Sequence, residues 1–211
     1  MDNKFVNLIL LITIIGEFVI PYILKAFYKG YNSKKMLMSV LGSYESPVRR
    51  IYNAWLVWVG TFLLFVSFLL FKEVCAISGI LATLTFLSVA VFSVGAGILA
   101  GLFSVNESKE NVTITSKMHG IGSAIGFMAL LFFALLRSIT AFTINDFVQA
   151  VVCAVAFVLS VLFFVFFIMG DKDNFKDTIF AYEGLWERLC LFFMYMPFLY
   201  GAITNLLVVW G

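Results

Sequence analysis

Residues 61–92 read TFLLFVSFLLFKEVCAISGILATLTFLSVAVF, and within them Lys72 and Glu73 are the only charged residues. Apolar runs stand on both sides of that pair. Followed upstream to residue 50 and downstream to residue 104, each run is long enough to cross a hydrocarbon layer of roughly 30 Å as a helix. The break between them has room for a tight turn and little else. The stretch therefore predicts two membrane helices joined as a hairpin.

The same reading carries outward in both directions. Apolar runs predict helices near residues 5–28, 50–72, 77–104, 119–136, 147–169 and 187–210. The third run is longer than the layer requires and is expected to tilt or to project beyond it. Composition agrees, with 63% hydrophobic residues, 25 phenylalanines and only 12% charged residues. A soluble domain carries about 25% charged residues. The first run has no small-residue cleavage site, and GEFVIPYILKAFYKG at residues 16–30 continues it, so it reads as a retained span. No internal repeat or low-complexity tract interrupts the pattern. The expected fold is all-α, a six-transmembrane-helix bundle that forms one domain over residues 1–211.

The basic residues predict its direction. Lys25, Lys29, Lys34, Lys35, Arg49 and Arg50 surround the first connection, Lys109 and Lys117 belong to the third, and Lys172, Lys176 and Arg188 to the fifth. The other side receives only Lys4, Lys72 and Arg137. The positive-inside bias then places the odd-numbered connections in the cytoplasm and both termini outside, in a cell membrane. The acceptor patterns NES at Asn106 and NVT at Asn111 fall on that inner side and read as accidental. Basic residues beside the first connection are explained by membrane anchoring, so no nucleic-acid partner is expected. A protein partner or a second copy of the chain is compatible with the pattern.

Polar residues inside or beside apolar runs are the candidates for function, because a bilayer makes them costly. Glu17 is the one acidic residue in the middle of a run, and should face the bundle interior. Gly16 beside it would admit a neighbouring backbone, and Pro21 removes the amide that would bond the Glu17 carbonyl. His119, the only histidine, and the pair Glu187–Arg188 are expected in the first turns of the fourth and sixth helices. In an inward-directed topology these residues converge on the cytoplasmic leaflet. Two helix starts, Arg188 and an imidazole that titrates near neutrality would together suit a phosphate or carboxylate headgroup. Gly97 and Gly101, and Gly122 and Gly126, repeat the spacing that lets helix backbones approach closely. Trp55, Trp58, Trp186 and Trp210 are expected near the headgroup level. Cys75, Cys153 and Cys190 are scattered among apolar neighbours and read as buried thiols. No pattern calls for a metal or another cofactor.

Residues 97–132, GILAGLFSVNESKENVTITSKMHGIGSAIGFMALLF, carry a further signal. A glycine-rich helix end, Leu102 and Phe103 turning into an acidic loop, and MHG opening the next helix resemble the family of bacterial membrane proteins called DUF998, a domain of unknown function. GLWER at residues 184–188 is similar to the same family. The resemblance points to Gly101, Leu102, Phe103, Asn106, Glu107, His119, Gly120 and Gly184–Arg188. It implies a six-span protein of the bacterial inner membrane and supplies no reaction. Where such proteins carry a proline after Leu-Phe and an aspartate in the loop, this chain has Ser104 and Glu107.

Four functions follow as expectations. Binding of a lipid or small amphiphile at a polar recess would use Glu17, Asn106, Glu107, His119, Glu187 and Arg188. A transporter would use the same inner region. An intramembrane hydrolase would employ His119 as acid or base, Glu17 or Glu107 as its electrostatic partner, and Arg188 against a phosphate. A purely structural or regulatory membrane role is the fourth possibility.

Overall fold

The computed structural model describes residues 3–106 and 113–210 of the chain. Among them, six helices are long and apolar enough to cross a membrane. They are α1 (Lys4–Leu24), α2 (Arg49–Cys75), α3 (Gly79–Leu102), α4 (Ile114–Thr143), α5 (Phe147–Gly170) and α6 (Glu183–Trp210). Each packs on its neighbour in sequence, and α1 closes the ring by packing on α6. The described residues contain no strand.

Local chemistry explains where the helices begin. Asn3 caps α1 by accepting from the Phe5 and Val6 amides, and Ser78 caps α3 through the Leu81 amide. Asp146 caps α5 through the Gln149 amide, after Asn145 turns the chain at φ 60°. In each case a side-chain oxygen satisfies an amide that has no partner within the helix. The α2–α3 hairpin expected from residues 61–92 is present, with its turn at residues 76–78.

Several boundaries differ from the expectation. Helix α4 begins at Ile114, because Thr113 and Ser116 form a reciprocal capping box inside what reads as a polar connection. His119 is therefore in its second turn, not its first. Helix α6 begins at Glu183, whose acidic side chain suits a helix start, so Glu187 and Arg188 also fall in a second turn. Lys72 and Glu73 lie within α2, and Arg137 within α4, where it bonds Glu73 at 2.9 Å. Among the described thiols, Cys153 and Cys190 are buried and Cys75 is exposed.

Helix α3 is not uniform. Residues Ser93–Leu99 widen into a π-helical segment, SVGAGIL. At that level a Cβ on Gly97 would strike the Gly60 backbone of α2, and one on Gly95 would strike the Gly122 backbone of α4. A Cβ on Gly126 would lie 2.9 Å from the Ala96 amide, and one on Gly101 2.7 Å from the Asn53 carbonyl. Small residues thus let α2, α3 and α4 meet backbone to backbone. Gly16 has a different neighbour from the one expected: the Trp55 ring, not a backbone, occupies the space beside it.

Candidate functional site

His119 receives its position from the end of α3. The last carbonyls of a helix have no amide partner within it. The His119 Nδ1 lies 3.1 Å from the Ala100 carbonyl and 2.9 Å from that of Phe103. Between two carbonyl oxygens Nδ1 must carry the hydrogen, which leaves Nε2 of a neutral ring as an acceptor. The imidazole is 5% exposed. It ties α4 to the frayed end of α3 and still lines a cavity.

That cavity has a volume of about 450 Å³ and touches α1, α2, α3, α4, α5 and α6. Its polar lining includes Glu17, His119 and Glu187, which are 4%, 5% and 7% exposed. Each carboxyl has one oxygen held by the protein. Glu17 Oε2 accepts from Trp55 Nε1 at 2.8 Å, and Glu187 Oε2 accepts from the Met38 amide at 2.6 Å. Oε1 of each has no hydrogen-bond partner among the described residues. Trp55, expected near the headgroup level, is the bonded partner of the buried acid. The remaining wall is largely apolar, with Leu56, Phe92, Phe127 and Leu191 among its members.

The cavity opens sideways. Helices α4 and α5 are held together near their short turn, where Ser138 donates to the Ala150 carbonyl at 2.8 Å. At their other ends, Gly120, Ala124 and Met128 on α4 and Phe164, Phe167 and Ile168 on α5 line the space between them. Met128 is 56% and Ile168 45% exposed. Both belong to helices long and apolar enough to cross a membrane.

Arg188 does not share the cavity. Its Nη1 donates to the carbonyls of Ser33 at 2.7 Å, Gly184 at 2.6 Å and Met36 at 3.4 Å, and its Nη2 to the Tyr31 hydroxyl at 2.6 Å. Tyr31 in turn donates to the Leu37 carbonyl at 3.0 Å. Burial pushes the Tyr31 phenol up to about 12 against the pull of the guanidinium, so it remains a donor at neutral pH. Neighbouring residues Glu187 and Arg188 thus hold the α1–α2 connection by opposite means: an acceptor for the Met38 amide, a donor for carbonyls. Leu37, Met38 and Ser39 of that connection form part of the cavity wall.

Of the other sequence candidates, Asn106 lies off the cavity and donates to Thr113 Oγ1 at 3.4 Å. Glu107 falls outside the described residues. The residues that sequence reading missed are Trp55, Tyr52 and Ser39, none of which has a spacing signal. A second cavity of about 310 Å³ lies at the opposite end of the bundle, beside Glu73, Arg137, Asp146 and Asn205. Among the described residues no group of three or more His, Cys, Asp or Glu side chains could hold a metal ion.

The family model "Protein of unknown function (DUF998)" matches residues 11–204, nearly the whole chain. The chain belongs to that family. No curated protein and no solved structure matches it.

Proposed function

We propose that this protein binds a lipid or small amphiphile, with the apolar part between α4 and α5 and the polar end beside Glu17, His119 and Glu187. The observation that carries this reading is the joining of buried, partly unpartnered polar groups to an apolar space lined by α4 and α5, two helices long and apolar enough to cross a membrane. A volume of about 450 Å³ lies in the range of small-molecule sites, which typically measure about 300–1,000 Å³. The combination suits a molecule that is apolar over most of its length and polar at one end. The cavity lies at the end of the bundle that carries the α1–α2 connection, and the basic residues there favour the cytoplasmic leaflet by the positive-inside bias.

The test uses a substitution that fills the entrance without disturbing a helix contact. A Cβ on Gly120 meets nothing within 4 Å. Wild type and Gly120→Trp are purified in native lipid, and retained molecules are identified by mass spectrometry. The wild type should retain an amphiphile that Gly120→Trp loses by about tenfold, equivalent to ~1.4 kcal/mol. Equal retention by two folded proteins would refute the site.

A further inference from the structure

We infer that the polar end of the bound amphiphile is a primary ammonium, held by Glu17, Glu187 and His119. The inference rests on the amphiphile reading above and adds the chemistry of the head. Three acceptors without partners belong to one cavity: Oε1 of Glu17, Oε1 of Glu187 and, with Nδ1 as donor, Nε2 of His119. An ammonium offers three donors and no acceptor. Among the described residues no lysine or arginine lines the cavity. The adjacent guanidinium, that of Arg188, is taken up by three carbonyls and the Tyr31 hydroxyl.

Charge argues in the same direction. A carboxylate in apolar surroundings needs a partner charge or several donors. Glu17 has one donor, an indole N–H, and Glu187 has one, a backbone amide. One ligand ammonium would supply the counter-charge for one carboxylate and a donor to the other carboxyl, which balances when that second group is neutral. A phosphate or carboxylate head would instead meet two acids and, among the described residues, no lysine or arginine. Tyr52, Phe92 and Phe127 also line the space, and aromatic faces attract ammonium groups. The anionic head expected from Arg188 loses its principal donor because that side chain points into the α1–α2 connection.

The test compares one chain with three heads. Dodecylamine, dodecanol and laurate are offered at mildly alkaline pH to the full-length protein in neutral phosphatidylcholine nanodiscs. Bound probe is read by native mass spectrometry, with Gly120→Trp discs subtracting probe dissolved in lipid. Dodecylamine should bind wild type about tenfold more tightly than the other two. Glu17→Gln and Glu187→Gln should each remove that preference while dodecanol binding persists, which also reports a folded cavity. If Glu187→Gln fails to fold, Glu17→Gln and the wild-type ranking decide. Equal binding of the three heads, or a preference for laurate, would overturn the ammonium and leave the amphiphile reading intact. Binding of none above the Gly120→Trp level would overturn both. A parallel arm replaces part of the phosphatidylcholine by phosphatidylethanolamine. Its selective retention would identify a membrane lipid as the ammonium source, and retention of dodecylamine alone a single-chain amine.

Discussion

Replacing Arg188 by glutamine separates a clamp from a ligand contact. The guanidinium makes two short bonds to the α1–α2 connection, to the Ser33 carbonyl at 2.7 Å and the Tyr31 hydroxyl at 2.6 Å. A third, to Met36, is longer at 3.4 Å, and the Gly184 bond stays within α6. Hydrogen bonds to charged groups contribute about 1.5–3 kcal/mol each. Counting only the two short ones at the low end, to allow for water at a half-buried site, gives a loss of about 3 kcal/mol. For a chain of this size that is a fall in Tm of roughly 6–12 °C. The loss should be local as well: amide exchange should rise across residues 31–38, since those residues are pinned by Arg188 and Glu187. Because Leu37, Met38 and Ser39 line the cavity, amphiphile retention should fall too, without Arg188 touching the ligand. Lys34→Gln is the control, as an exposed charge contributes about 0–1 kcal/mol. Thermal unfolding and hydrogen exchange in the same nanodiscs provide the readouts. A Tm within about 2 °C of the Lys34→Gln protein, with unchanged exchange at residues 31–38, would refute the clamp.

Other consequences follow from individual contacts. Gly97→Leu should abolish folding or lower Tm severely, because its Cβ would enter the Gly60 backbone, whereas Gly120→Leu should be tolerated in open space; comparable Tm values would show the α2–α3 packing to be misassigned. Trp55→Phe removes the donor to Glu17 and should cost about 1–3 kcal/mol, much of it absent when Glu17 is already Leu. Additive losses in that double-mutant cycle would show that the bond is not formed. In a Cys75→Ser background, cysteines introduced at positions 34 and 172 should resist an impermeant outside reagent, while cysteines at both termini react; the opposite pattern would invert the topology.

The spans were legible because a run of apolar residues long enough for a bilayer has few other uses. Polar sequence at helix ends was harder to read. TITSKMHG resembles a connection by composition, yet Thr113 and Ser116 are the residues that start α4, and nothing confines a helix to the hydrocarbon. The same reasoning hid the first turn of α6 at Glu183. The residue types at the cavity were legible too, since a buried acid and a lone histidine stand out in an apolar chain. Their partners were not. Helices that are apolar on most faces carry little information about rotation. Nothing in the spacing shows that Trp55 reaches Glu17, or that Gly60 faces Gly97. Arg188 is the instructive case: one residue after Glu187, it points about 100° away around the helix, into the α1–α2 connection and off the cavity.

Photolabelling can detect an amphiphile lying between α4 and α5. A dodecyl amine bearing a diazirine at the far end of its chain is irradiated with the protein in nanodiscs, and adducts are mapped by peptide mass spectrometry. Adducts should concentrate at Ala124–Met128 and Phe164–Ile168, reduced by an excess of unlabelled dodecylamine and by Gly120→Trp. Labelling spread evenly over outward residues such as Val151, Val155 and Val158, and indifferent to both competitor and substitution, would contradict an amphiphile at that place.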